Sequence, residues 1–280
     1  MKNILIPTDF SENAWNALIY GISFFKKTHC TFYITHVNSI STNSGGEAAM
    51  YVSQELLEKT ILEESNEKLE KLLKKIEHLP LNTKHKFNTI ALYGFLTDHL
   101  KEQVKEKKID LIVMGTKGSS GLKAVSIGSN TGNVITKVPC TIMAVPEMAT
   151  YHSVKEVGFP SDFQLKYDYR VLDILKDILF LKNAALRLLH VSPRGEKMNA
   201  SQEENKLLLL DYFKELECSF HFVTGKKIDE SIQCFTESRN LDLVVMVAKN
   251  LNFLERILFR PTVEKVSYHT KVPFLVIHEA

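Results

Sequence analysis

The sequence predicts an α/β protein built from two tandem copies of one doubly wound domain, each with a mainly parallel sheet. Three observations carry that expectation. First, the chain repeats itself in order: NILIPTDF (3–10) matches EVGFPSDF (156–163), YITHVNS (33–39) matches LLHVSP (188–193), IDLIVMGTKG (109–118) matches LDLVVMVAKN (241–250), and TKVPCTIMAV (136–145) matches TKVPFLVIHE (270–279). Second, short near-continuous apolar runs alternate with stretches of helical period, the pattern of strands buried on both faces by helices. Third, 280 residues suit two domains of ordinary size.

The elements follow in order. Residues 3–6 form an apolar run ended by Pro7, hence a strand. Ala14, Trp15, Ala17, Leu18, Ile22 and Phe25 recur at helical spacing across 11–27, which makes Trp15 a core residue. Residues 31–37 are β-branched and aromatic, as strands are. Gly45-Gly46 marks a loop. A long charged helix follows over 50–78, with Leu56, Leu57, Ile61, Leu69, Leu72, Leu73 and Ile76 as its stripe and a solvated face opposite. Then come a strand at 84–92, helix 95–108, buried strand 109–114, helix 129–137 and a last strand 140–145 ending at Pro146. The second copy repeats the strands near 155–159, 184–190, 218–223, 242–247 and 273–277. The short polar stretch MATYHSV (148–154) joins the copies, giving domains 1–148 and 152–280.

Composition narrows the function classes. A net charge of +2 and the lack of a basic, aromatic-interleaved stripe argue against nucleic acid and membrane surfaces. No apolar run reaches the length of about 18 residues that a membrane span needs, and Pro7, Thr8 and Asp9 interrupt the N-terminal run too early for a signal peptide. Cys30, Cys140, Cys218 and Cys234 show neither zinc nor disulfide spacing, so a reducing cytoplasm is expected. The ten histidines show no metal-ligand spacing. His36 and His190 end equivalent strands, which favours a structural role.

The chemistry concentrates at 109–131, IDLIVMGTKGSSGLKAVSIGSNT, where a buried strand enters a glycine-rich loop that opens a helix near Ser129. Ligands of doubly wound sheets bind beyond the carboxyl ends of the strands. A helix N-terminus offers free N–H groups and a positive dipole end to phosphate. Gly115, Gly118 and Gly128 let backbone amides approach closely and adopt unusual dihedrals. Ser129 suits a cap or phosphate donor, and Asn130 and Thr131 add donors. Lys117 and Lys123 flank the loop. No G-x-x-x-x-G-K-[ST] or G-x-G-x-x-G occurs, and Ser119-Ser120 lacks a nucleophile-elbow setting.

Gly115-x2-Gly118-x9-Gly128-Ser129, the opening Ile6-Pro7-Thr8-Asp9 and His36-Val37 resemble the ATP-binding universal stress proteins, over nearly the whole chain as two copies. The resemblance implies flavodoxin-like domains of strand order 3-2-1-4-5, pairing as an internal pseudo-dimer with Thr141–Val145 beside Phe274–Ile277, and possible further homodimerisation. It implies ATP, AMP or ADP as ligand, with or without Mg2+. Gly115, Gly118, Ser129, Asn130 and Thr131 would hold phosphates and part of the ribose. Pro7, Thr8 and Asp9 would line the nucleoside, with Asp9 near the ribose hydroxyls or Mg2+, and Val37 would meet adenine through its backbone. Met114 and Gly128 complete the expected binding set.

The second copy is a control. Val247 and Asn250 replace Gly115 and Gly118, and Arg260, Pro261 and Thr262 stand near the position of Gly128-Ser129, so no ATP site of the first type is expected there. Asp162 repeats Asp9 without the loop. Asp9 therefore reads equally as a helix cap, with Glu12 at capping-box spacing and Ser11 as rival. An adenine-nucleotide-binding stress-response or regulatory module leads. A slow ATP hydrolase and a scaffold or oligomerisation module without nucleotide are the alternatives, since no general base stands out beyond Asp9.

Overall fold

The computed structural model describes residues 1–39, 54–116, 128–164, 166–192, 195–248 and 271–278. In the first half these form β1 (Lys2–Pro7), α1 (Glu12–Phe24), β2 (Cys30–Asn38), α2 (Gln54–Glu77), β3 (His85–Tyr93), α3 (Leu96–Glu106), β4 (Leu111–Gly115), α4 (Ser129–Lys137) and β5 (Ile142–Val145). The second half gives β6 (Glu156–Pro160), α5 (Tyr169–Lys182), β7 (Ala185–Ser192), α6 (Ala200–Tyr212), β8 (Cys218–Thr224), α7 (Ile228–Ser238), β9 (Leu243–Val247) and β10 (Phe274–Ile277). The expected loop at Gly45-Gly46 and the first residues of the expected 50–78 helix lie outside the described residues.

The strands form one ten-stranded sheet, β3-β2-β1-β4-β5-β10-β9-β6-β7-β8. Each half thus has the order 3-2-1-4-5, and every pairing within a half is parallel. The halves meet where β5 and β10 pair antiparallel, Ile142 to Ala144 against Val276 to Phe274. The two sets of carboxyl ends therefore point in opposite directions. Alternation along the strands divides the core. Ile4, Ile6, Leu111, Val113, Met143 and Val145 face α1 and α2, whereas Leu5, Ile112, Met114, Ile142 and Ala144 face α3 and α4. The second half repeats this, with α5 and α6 sharing the first face and α7 the second.

One repeat match is out of step with the structure. Ile112 N–H donates to Thr141 O (2.9 Å) and Val244 N–H to Pro273 O (3.0 Å), while Thr116 and Ala248 bond equivalently to Val145 O and Ile277 O. Thr141 therefore corresponds to Pro273, although the TKVP match sets Pro139 opposite Pro273. The displacement is two residues, which preserves the face of every side chain and so leaves the apolar pattern intact.

The connector between the halves is pinned to α1. Asn16 Nδ2 donates to the carbonyls of Pro146 (3.2 Å), Glu147 (3.3 Å) and Ala149 (3.0 Å). Tyr151 packs edge-on against Tyr20 at 5.3 Å. Lys182, at the end of α5, donates to Phe24 O at the end of α1 and lies over the Phe24 ring at 3.6 Å. Burial, assisted by Lys27, lowers the Lys182 ammonium to about 8.

Candidate functional site

The sheet order reverses between β1 and β4, so their carboxyl ends form the switch point of the first half. At β1, Pro7 and Thr8 are buried and Asp9 is exposed. The turn is tied internally. Thr8 Oγ1 accepts from Phe10 N (3.0 Å), and Asp9 Oδ1 accepts from Ser11 N (3.0 Å) and Ser11 Oγ (2.6 Å). Phe10 consequently sits at φ 62°. Ser11, rather than Asp9, caps α1 by accepting from Ala14 N (3.2 Å). His36 closes the turn from below, its Nδ1 2.7 Å from Thr8 O.

The second half repeats the backbone bonds of this turn, with Gln164 in place of Ser11 and so without the hydroxyl bond to the aspartate. Ser161 Oγ accepts from Phe163 N (2.9 Å), Asp162 Oδ1 from Gln164 N (3.1 Å), Phe163 has φ 53°, and His190 Nδ1 lies 3.1 Å from Ser161 O. The duplicated Asp and His residues are thus explained by an Asx turn and a carbonyl contact. That accounts for their presence in a half without the glycine loop.

β4 ends at Gly115, the chain leaves the sheet at Thr116, and Gly128 N–H returns to Thr116 O at 2.6 Å to start α4. Gly128 is the N-cap and offers no side-chain cap, and no acidic residue occupies the first turn. Ser129 and Asn130 are exposed as the first helical residues, so this positive helix end faces outward. Thr131 is buried, and its hydroxyl donates to Gly115 O (2.7 Å), fixing the helix start to the strand end. Gly128 has φ −57° and ψ 151°, open to any residue, and Gly115 is not among the positive-φ glycines. The dihedral argument therefore falls for both glycines, and at Gly115 a steric one replaces it. A Cβ at Gly115 would lie 2.6 Å from Asn13 Nδ2 and 2.8 Å from its Cγ. Gly118, Lys117, Lys123, Ser119 and Ser120 lie outside the described residues, as do Asn250, Arg260, Pro261 and Thr262.

Asn13 was not singled out in the sequence, because one polar residue on a helix reads as solvent-facing. It is instead buried, on the first turn of α1, and joins that helix to Gly115. Val37 is half-buried near the carboxyl end of β2, and Met114 is buried beneath Gly115 in the α3–α4 face. Trp15 is not a core residue. It is half-buried, with Lys75 Nζ 3.8 Å above its ring.

The second switch point is built differently. Val247 is buried at the place of Gly115. Helix α5 begins only at Tyr169, capped by Asp168, several residues later relative to Asp162 than α1 begins relative to Asp9. Tyr167, in the segment before it, bonds Ser161 Oγ (2.9 Å) and stacks near Phe159, and burial pushes its phenol up to about 12. From α6, Gln202 and Asn205 donate to the carbonyls of Asp162 (2.7 Å) and Phe163 (2.9 Å).

Comparison with known proteins agrees with this duplication. The model of the universal stress protein family matches residues 1–146 and again 155–278. The universal stress protein Slr1230 of Synechocystis is 23% identical over 98% of this chain and 99% of its own length. MJ0531 of Methanocaldococcus jannaschii, also a universal stress protein, is 33% identical over 51% of this chain and 81% of its own. A crystal structure of a universal stress protein from Archaeoglobus fulgidus superposes with a TM-score of 0.70 at 20% identity, covering 99% of this chain and 98% of that one, which shows the shared fold. With both halves matched in order, the chain belongs to the universal stress protein family as a tandem, two-domain member.

Proposed function

We propose that the first half binds an adenine nucleotide (ATP, AMP or ADP), and that the protein serves as a nucleotide-responsive stress or regulatory module of the cytoplasm. The observation that carries this reading is the end of β4. The strand ends at a glycine, and the chain closes its loop at Thr116–Gly128 and opens a helix whose N-terminus has neither a side-chain cap nor an acidic residue. That arrangement favours an anion at the switch point. Gly115, Gly118, Gly128, Ser129, Asn130 and the backbone of Thr131 take the phosphates and part of the ribose. Pro7, Thr8, Asp9 and Val37 take the nucleoside, over Met114. Among the described residues no group of three or more His, Cys, Asp or Glu could hold a metal ion, so Mg2+ would arrive with the phosphates beside Asp9. No hydrolytic step is assigned, because Asp9 Oδ1 holds the turn, and its bond from the backbone N–H two residues on recurs at Asp162.

The second half is read as silent toward ATP, with Val247 and Tyr167 filling what the first half leaves open. Equilibrium binding of labelled ATP to the protein and to Gly118→Val tests the assignment. One saturable site per chain, lost in the variant, is expected. Absence of saturable binding by the unaltered protein would sink the nucleotide reading.

A further inference from the structure

A groove separates α1 from α2 on the face of the sheet that holds both helices. Its volume is about 280 Å³, just below the ~300–1,000 Å³ typical of small-molecule sites. Phe10, Ala14, Trp15, Leu18 and Leu72 make its apolar walls, and Lys68, Lys71 and Lys75 project from one side of α2 along its rim. Glu12 is the one acidic residue among its lining. Lys75 covers the Trp15 ring, while Lys68 and Lys71 make no ion pair among the described residues. Thr8, at the end of β1, is the one residue of the proposed nucleotide site that also lines it; Asp9, Val37 and Gly115 do not, so the groove adjoins the switch-point site without coinciding with it.

The second half again supplies the comparison. There Gln202 and Asn205 of α6 bond across to the Asp162 and Phe163 carbonyls, and Lys206 is paired with Glu203. There α6 is thus tied to the β6 turn by polar side chains of the protein itself, and the α6 lysine next to them is paired. In the first half the apolar walls and the lysines are left for another molecule.

We propose that the α1–α2 groove binds a small amphipathic anion, with its anionic head on Lys68 and Lys71 and a short acyl chain or single ring against Trp15. Size excludes a large ligand, and an apolar wall beside three cations selects against both a bare inorganic anion and a neutral apolar molecule.

Trp15 is the only tryptophan of the chain, so its fluorescence reports the groove directly. Octanoate and phenyl phosphate are titrated into the full-length protein, with and without saturating ATP, beside 1-octanol and inorganic phosphate. A saturable response to at least one amphipathic anion is expected, at least about fivefold tighter than to either control, and present whether or not ATP is bound. K68Q/K71Q, which alters two exposed lysines and no core residue, raises that dissociation constant about fivefold, whereas K74Q, outside the groove, leaves it unchanged. Octanol binding as tightly as octanoate, no saturation by about 10 mM of either anion, or equal effects of the two variants would each overturn the proposal.

Discussion

Gly115→Ala adds one methyl group where the structure has room for none. The new Cβ would stand 2.6 Å from Asn13 Nδ2, and an ordinary contact begins at 3.4 Å, so the amide must retreat by about 0.8 Å. Asn13 is only 7% exposed and belongs to the first turn of α1, so that movement is transmitted to the helix. Overpacking of this kind costs about 1–3 kcal/mol. Urea denaturation should show the loss as a lower midpoint with an unchanged slope. Removing the obstacle as well, in Gly115→Ala/Asn13→Ala, should recover stability beyond additivity, with a coupling of about 1 kcal/mol or more. ATP binding, measured in parallel, should weaken about tenfold in Gly115→Ala, equivalent to ~1.4 kcal/mol. Strictly additive stability effects, or a Gly115→Ala protein as stable as the parent, would refute the steric account of this glycine.

Three further outcomes follow from the same geometry. Asp9→Ala and Asp162→Ala should each cost about 1 kcal/mol in denaturation, since both lose an Asx turn, but only Asp9→Ala should weaken nucleotide binding; equal effects on binding would remove Asp9 from the site. Asn16→Leu, which leaves three connector carbonyls without their donor, should cost about 1–3 kcal/mol and expose the chain to chymotrypsin at Tyr151, seen as two half-length fragments on a gel. Burial lowers Lys182 from 10.5 to about 8, so between those values the unfolded chain binds more protons and stability rises with pH. Relative to Lys182→Met, the parent protein should therefore gain about 1 kcal/mol from pH 7 to 9.5, allowing for its partial exposure, and parallel stability curves would contradict this.

Much of this architecture was legible before any coordinates. The apolar runs marked the central strands because both faces of the sheet are covered there, and burial on both sides needs uninterrupted apolar sequence; the edge strands β3 and β8 are only partly buried and carry polar residues within them. The ordered repeats announced the duplication, and the β5–β10 seam was expected from family resemblance. What escaped depended on contacts between elements distant in sequence. The TKVP motif looked like a fixed marker, yet the strand after it shifted by two residues, a slip invisible to any apolar pattern of period two. Trp15 sat on a helical stripe, but the stripe is wider than the core, and its edge borders the α1–α2 groove. Asn13 gave no signal at all, since its burial is created by β4, some hundred residues away.

The differences between the halves are not scattered. The β1 and β6 turns keep the bond from the phenylalanine N–H to the hydroxyl two residues before it, the Asx turn and the same positive-φ phenylalanine, so the scaffold of the switch point has been retained twice. Several changes gather around that turn. Gly115 becomes Val247, the first helix starts later, Tyr167 enters beside Ser161, and α6 reaches across with Gln202 and Asn205. Each change places protein atoms or hydrogen bonds next to the retained turn, and together they make the second switch point self-sufficient. A pocket that is no longer filled by a ligand leaves cavity and unpaired polar groups, both costly to stability, and packing it with side chains removes that cost. On this argument the second half should be the more stable of the two in the absence of nucleotide, and ATP should raise the unfolding midpoint of the first half alone. Hydrogen exchange followed by mass spectrometry reads each half separately. Equal protection of α1 and α5 without ATP, or an ATP-induced gain that is as large in α5 as in α1, would show that the two switch points have not diverged in this way.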